Sequence, residues 1–122
     1  MSPSLIDTPA LPFLERYLDL STFRQTLVAS NLANIDTPGY QTRDVALQSE
    51  LGYSALSDFK DDVHPFVRTV RGLIERPDGN NVSLDREGLL LAQTQLQYKT
   101  AIELIRSEFR TIHGAINDGV EA

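Results

Sequence analysis

Residues 31–40, Asn-Leu-Ala-Asn-Ile-Asp-Thr-Pro-Gly-Tyr, join a helical pattern to a tight turn. Asparagine is a poor helix former, yet Asn31 and Asn34 stand about one turn apart where the helix ends. Residues 37–40 predict a type II turn, because proline fixes φ at its second position and glycine accepts a positive φ at its third. The residue before a proline avoids the helical region, so the helix ends by about residue 35 or 36. We expect both asparagine amides to bond the last helical carbonyls or the turn.

Upstream of this corner, the pattern predicts one helix that starts near Thr8 as N-cap, with Pro9 at the first helical position. Its apolar residues alternate spacings of three and four, which is typical of a coiled-coil seam with polar Ser21 and Gln25 in the middle. A second apolar flank includes Phe13, Tyr17, Leu20 and Leu27, and because a two-helix contact needs only one apolar stripe, we expect this flank to face a further neighbour. The predicted packing seam of this helix comprises Leu11, Leu14, Leu18, Val28 and Leu32.

A second long helix is predicted from about Ser83 to about Ile116. Ser83 suits the N-cap, and Asp85 and Glu87 place negative charge in the first turn, where the helix dipole favours it. Residues 89–91 are three consecutive leucines, which cover about 200° of the helix surface. One partner helix cannot cover that arc, so we expect neighbours from other chains. The predicted packing seam of this helix comprises Leu91, Tyr98, Ile102, Ile105, Phe109 and Ile112.

The predicted fold is mainly α, with the long N- and C-terminal helices paired as an antiparallel coiled coil. Residues 1–45 and 83–122 form one discontinuous domain in this prediction, and residues 46–82 form a loop-rich middle segment. The middle is compatible with a short β-hairpin between roughly 67–76 and 81–83, turning at Asp78-Gly79. Residues 49–59 fit a weak helical turn or two.

Composition and charge exclude several functions. The 122-residue chain carries a formal charge of −6 and no cysteine, which argues against nucleic-acid binding and thiol chemistry. Its apolar runs are too short to predict a transmembrane segment, and the first residues lack the pattern of a cleaved signal peptide. Asp61, Asp62 and His64 are a weak metal candidate, and His113 fits a surface position better than a ligand. We therefore expect no catalytic residue, no metal and no cofactor.

Two blocks of sequence carry a family resemblance. The first block, followed by Gln-Thr-Arg-Asp, resembles the signature of bacterial flagellar rod and hook proteins. Independently, Asp-Gly-Asn-Asn-Val-Ser-Leu-Asp-Arg-Glu at residues 78–87 is similar to the B-type family of proximal-rod proteins in the flagellar basal body. The first motif comprises Asn31, Leu32, Ala33, Asn34, Asp36, Thr37, Pro38, Gly39 and Tyr40. The second comprises Asp78, Gly79, Asn80, Asn81, Val82, Asp85, Arg86 and Glu87.

The resemblance implies a structural subunit of the proximal rod that polymerises through its terminal helices into the hollow axial drive shaft. It implies as partners other copies, other rod subunits, basal-body ring and rod-adaptor proteins, and the flagellar type III export apparatus. The expected location is the periplasmic rod of the basal body, reached without a cleaved signal peptide. Alternatives are the sister C-type rod protein, a soluble helical adaptor or export chaperone, and a small enzyme that uses residues 61–64.

Overall fold

The structure, a computed structural model, describes residues 10–56 and 65–121. Within these ranges the chain forms three helices and two short strands. The predicted N-cap at Thr8 and Pro9, and the weak metal candidate at residues 61–64, lie outside the described residues. In chain order the elements are α1 (Ala10–Ala33), β1 (Arg43–Val45), α2 (Leu47–Leu56), β2 (Val67–Thr69) and α3 (Leu84–Glu121).

The two long helices pack antiparallel against each other. Near the start of α1, Leu14 lines the same apolar pocket as Ala101 of α3, whereas at the end of α1 Asn31 bonds Glu87 in the first turn of α3. At about 1.5 Å per residue, α1 is about 36 Å long and α3 about 57 Å. The last turns of α3 therefore extend beyond the level of Ala10. The predicted mainly α fold, with long terminal helices in contact, is confirmed.

The buried core is small and lies along the α1–α3 contact and beneath β1. On α3 the buried positions are Glu87, Leu90, Thr94 and Ala101, and two of them, Leu90 and Ala101, lie one residue before a predicted seam residue. The strongly apolar positions of α3 thus do not mark the face that α1 covers. The buried apolar residues are Leu14, Leu20, Val28, Val45, Val82, Leu90 and Ala101.

The predicted seam residues have different environments. Leu14 and Val28 are buried, whereas Tyr98 is 38% and Phe109 59% exposed. Leu20 and the Leu90 of the leucine arc were expected to face neighbouring chains, but both are buried within this one. Both side chains are buried because each helix is rotated about its axis relative to the prediction. On α3 the rotation corresponds to about one residue, so that Leu90 rather than Leu91 faces α1. The other seam residues are half-buried: Leu11, Leu18, Leu32, Leu91, Ile102, Ile105 and Ile112.

A small antiparallel sheet lies in the middle of the molecule, as expected. Its strands are β1 and β2, with Asp44 opposite Arg68. The predicted pairing of residues 67–76 with 81–83 is wrong, because Asn81 and Ser83 use their side chains to bond the chain at Thr42 and to cap α3. The helical stretch expected between residues 49 and 59 is a ten-residue helix, α2, that continues through the exposed Gly52.

Candidate functional site

The first motif ends α1 in a bonded turn. The helix stops at Ala33, and the Asn34 Nδ2 group donates to the Ser30 carbonyl at 2.8 Å. The Tyr40 amide donates to the Thr37 carbonyl at 3.2 Å, and the φ of Gly39 is +76°. This geometry is what a type II turn requires, and it reverses the chain directly after the helix.

Asn31 connects α1 to both β1 and α3. Its Nδ2 group donates to the Arg43 carbonyl at 2.9 Å and to the Glu87 Oε2 atom at 3.1 Å. Its Oδ1 atom accepts from the Arg43 amide at 3.1 Å and from the Tyr40 hydroxyl at 2.9 Å. All donor and acceptor capacity of this amide is used. The Asn31 Nδ2 group therefore donates neither to the last helical carbonyls nor to the turn, and this side chain meets the turn only through the bond that its Oδ1 atom accepts from the Tyr40 hydroxyl.

The second motif forms a turn that packs on the first. The Gly79 amide donates to the Arg76 carbonyl and the Arg76 amide to the Asn80 carbonyl, both at 2.8 Å. The φ of Gly79 is +86°, and a Cβ there would lie 3.3 Å from the Gly39 Cα atom. The Gly39 amide in turn donates to the Asp78 carbonyl at 2.8 Å. Two glycine turns, about forty residues apart in sequence, are thus in direct backbone contact.

Asn80 closes the C-terminal end of α1. Its side chain is fully buried, and its Nδ2 group donates to the Asn34 and Thr37 carbonyls, each at 2.8 Å. The Arg76 guanidinium donates to the Ile35 carbonyl beside them. Carbonyls at the end of a helix lack intrahelical donors. Asn80 of the second motif therefore supplies hydrogen-bond donors to carbonyls of the first motif.

Asn81 and Gln41 form a second connection between the two turns. The Asn81 Oδ1 atom accepts from the Thr42 amide at 2.7 Å, and its Nδ2 group donates to the Gln41 Oε1 atom at 2.8 Å. The Gln41 Nε2 group donates to the Gly79 carbonyl at 2.7 Å. Both motifs are therefore parts of one hydrogen-bonded unit, which we call the polar corner (residues 30–44 and 75–87).

A buried carboxylate ties α1, β1 and α3 together. Asp44 is 4% exposed and accepts two bonds from Arg24, each at 3.0 Å, and one from Arg86 at 2.8 Å. Burial alone raises the pKa of Asp44, but the bonds from Arg24, the Val45 amide and Arg86, with the charge of Arg24, outweigh it and lower that pKa. Arg86 also bonds the fully buried Glu87 at 2.7 Å.

The start of α3 completes the polar corner. The Ser83 Oγ atom accepts from the Arg86 amide at 3.2 Å, the geometry of an N-cap. Glu87 was expected to place negative charge near the positive end of the helix dipole. Its carboxylate is in fact buried, where it accepts hydrogen bonds from the Asn31 amide and the Arg86 guanidinium.

The remaining motif residues divide by exposure. Val82 is buried and Leu32 is half-buried. The exposed ones are Ala33, Asp36, Pro38, Asp78 and Asp85.

Five residues that form the polar corner or bond to it were not among the predicted site residues. They are Arg24, Gln41, Thr42, Asp44 and Arg76. Three of them belong to Gln-Thr-Arg-Asp, directly after the first motif, so the continuation of the motif was the available signal. Arg24 and Arg76 have no such signal, because only the folded chain brings them to the corner.

The hydrogen bonds of the polar corner connect α1, β1 and α3 to one another. Across residues 10–56 and 65–121, no three His, Cys, Asp or Glu side chains are grouped to hold a metal. His113 is exposed and lies 3.2 Å from the Asn117 amide. Among the helices of residues 10–56 and 65–121, none has both the length and the apolar character of a membrane span. The fold and the corner define a helical structural protein whose two long helices are held at a fixed junction.

Comparison with known proteins agrees with this class. The family model described as flagella basal body rod protein matches residues 23–41, which include the first motif. The flagellar basal body rod protein FlgB of Salmonella typhimurium is 31% identical over 131 residues, covering 90% of this chain and 94% of that protein. FlgB of Escherichia coli is 31% identical with the same coverage, and FlgB of Bacillus subtilis is 28% identical, covering 87% of this chain and 92% of the relative.

The chain belongs to the flagellar basal body rod protein family, among the FlgB proteins. It is thus a structural component of the basal-body rod, and the sister-protein and adaptor alternatives are not favoured.

Proposed function

We propose that this protein builds the proximal rod by polymerising through its terminal helices, with copies of itself and other rod subunits, into the hollow axial drive shaft. The observation that carries the proposal is the apolar surface left open on α1 and α3. Burying a large apolar side chain stabilises a contact by about 1.5–3 kcal/mol, so such a surface favours association. The exposed large apolar residues of these helices are Phe13, Leu84, Leu89, Leu96, Tyr98, Leu104, Phe109 and Ile116.

The position of this surface supports assembly along an axis. Leu96 is 67% and Phe109 59% exposed, on a helix that outlasts its partner within the described residues. Leu89, 69% exposed, lies near the opposite end of the same helix. Apolar contacts are thus available over most of the length of α3. The exposed seam residues Tyr98 and Phe109 belong to this proposal as contacts between copies, whereas Leu14 and Val28 of the predicted seam are buried within the chain.

The polar corner has a separate role in the proposal. It sets the angle at which the middle segment leaves the helix pair, through the two motifs that meet there. Its buried bonds need no partner chain, so the corner forms before assembly. The two-part division, with residues 1–45 and 83–122 as one discontinuous domain and 46–82 as the middle, fits this role.

The finer biological assignments also belong to the proposal. We place the protein in the periplasmic part of the basal body, exported by the flagellar type III apparatus and in contact with ring and rod-adaptor proteins. We assign it no catalysis and no cofactor, because the buried carboxylate and amide side chains of the corner are engaged in hydrogen bonds within it.

The experiment uses the exposed Leu96. In a strain that lacks the native copy, Leu96→Asp should abolish swimming and leave no complete rod in purified basal bodies, because a charge enters an apolar contact. The matched control Leu96→Met keeps the apolar contact and should swim normally. Both purified variants should melt within a few degrees of the unaltered protein, since the side chain is 67% exposed. Normal rods in Leu96→Asp would contradict assembly through this face.

A further inference from the structure

Strand β2 has one paired edge and one open edge. The Val70 amide donates to the Thr42 carbonyl of the neighbouring chain segment at 2.8 Å. Two residues earlier on β2, Arg68 lies opposite Asp44 of β1. Because backbone groups alternate in direction along an antiparallel strand, the N–H and C=O groups of Val67 and Thr69 point away from β1. Within the described part of the chain, no strand lies on that side of β2.

The opposite edge of the same sheet is closed. On β1, the outward amide and carbonyl of Arg43 both bond the Asn31 side chain, which takes the place of a neighbouring strand. An open strand edge is a template for pairing with another chain, and proteins usually cover or block it. Here the fold blocks one edge with a buried asparagine and leaves the other accessible.

A basic groove runs beside the open edge. It is an open cleft of about 670 Å³, lined by β2 together with Phe66, Arg71 and Arg86. Phe66 is 73% exposed. Arg68 and Arg71 are exposed, and neither guanidinium group has a hydrogen bond or ion pair with any residue of the described ranges. A chain with a formal charge of −6 therefore presents unpaired positive charge at its one accessible strand edge, among the residues that the structure describes.

We propose that the open edge of β2 binds an extended, acidic segment of a different rod protein, which adds to the sheet as a third strand. The inference rests on the rod role proposed above. Backbone bonds to Val67 and Thr69 hold the added strand, and Arg68 and Arg71 select acidic side chains on it. A second copy is a poor occupant, because pairing two β2 edges brings like charges together, which destabilises cross-strand pairs.

Thr69→Pro tests the edge directly. Proline removes the outward N–H group but spares the bonds between β1 and β2, a position at which strands accept proline. The isolated variant should keep its helical circular dichroism and melt within a few degrees of the unaltered protein. In a strain lacking the native copy, it should yield about ten-fold fewer complete rods, the ratio for a loss of about 1.4 kcal/mol. The control Thr69→Val keeps the N–H group and should assemble normally.

A second variant and a crosslinking measurement test the strand-addition proposal even if Thr69→Pro destabilises the monomer. If Thr69→Pro melts early, Arg71→Glu replaces it, with Arg71→Lys as its control, since this exposed side chain is not part of the sheet ladder. A photo-crosslinking p-benzoyl-phenylalanine in place of Phe66 should label an acidic segment of a different rod protein in purified basal bodies.

The results separate the two proposals. Normal rod yield in both Thr69→Pro and Arg71→Glu, or a crosslink to a second copy of this chain, overturns the strand-addition inference and leaves the rod role standing. Failure of the unaltered protein and Thr69→Val to enter rods contradicts the rod role itself.

Discussion

The side chains at the two ends of α3 differ in burial and in their partners. In its first turns, Glu87 is fully buried and bonded to Asn31 and Arg86, and every bond stays within one chain. In its later turns, Phe109 and Ile116 are 59% and 56% exposed. A single molecule thus completes its polar corner and leaves apolar side chains of α3 exposed, and it is these side chains that the proposed assembly would cover. Changes in the corner should lower the stability of the monomer, whereas changes on the open face should affect only assembly.

The largest loss of monomer stability is expected from Asn80→Ala. The change removes one of two donors from the Asn34 and Thr37 carbonyls, which keep their backbone donors. It also leaves the buried Val82 amide without its Asn80 Oδ1 acceptor, at a cost of about 1–3 kcal/mol. We expect the free energy of unfolding to fall by about 3 kcal/mol, measured by urea titration of the purified monomer. Asn117→Ala on the exposed surface of α3 is the control and should change it little. Equal stability of the two variants would mean that the corner is not a stabilising unit.

Gly39→Val should have the next largest effect. A β-branched residue at a φ of +76° is strained by about 1–3 kcal/mol, although no atom lies within 4 Å of the added Cβ. We expect a lower urea midpoint and loss of swimming at normal expression. The control is Pro38→Ala at the neighbouring exposed position, which keeps glycine at residue 39 and so leaves its positive φ unstrained. Swimming at the normal rate in Gly39→Val would exclude the turn as a requirement for the rod.

Acid should weaken the corner through Asp44. Its pKa is lower in the folded chain than the value of about 3.9 in the unfolded chain, so its contribution is present above that value. The contribution is lost as the pH falls through the lower, folded pKa. Urea midpoints measured from pH 6 downward should therefore decline below about pH 4, and Asp44→Asn should decline less steeply. Parallel pH profiles for the two proteins would show that Asp44 is not the group responsible.

Phe109→Asp should have the smallest effect on the monomer and a complete effect on assembly. The exposed side chain contributes little to the isolated fold, so the free energy of unfolding should change by less than about 0.5 kcal/mol. Purified basal bodies from the variant strain should lack complete rods, whereas Phe109→Leu should support them. A large loss of monomer stability in Phe109→Asp would show that Phe109 packs in the core of the single chain. It would then contradict the claim that the two ends of α3 differ in burial.

Local sequence chemistry predicted the features that depend on neighbouring residues. Proline and glycine at positions 38 and 39 determine the turn, and Ser83 caps α3 through a bond three residues along the chain. The two long helices follow from apolar periodicity. These features need no knowledge of distant contacts, so they are readable from the chain.

The features that the sequence did not reveal depend on distant contacts. Asn80 bonds carbonyls more than forty residues away, and β2 pairs with β1 rather than with the nearer residues 81–83. The face of α3 buried against α1 carries Glu87, Thr94 and Ala101, which are polar or small. Of the predicted α3 seam, Tyr98 and Phe109 are exposed and the other four residues are half-buried, so the apolar pattern marks the margin of the contact with α1 rather than its buried centre.

Hydrogen exchange of the purified monomer, followed residue by residue, tests the central contrast most directly. Corner amides such as those of Thr42 and Val82 should exchange only through global unfolding, because they bond buried side chains. Amides of α3 beyond about residue 105 should exchange orders of magnitude faster in the monomer and become protected in the assembled rod. Monomer amides at residues 105–116 that are as strongly protected as those of the corner would contradict the account.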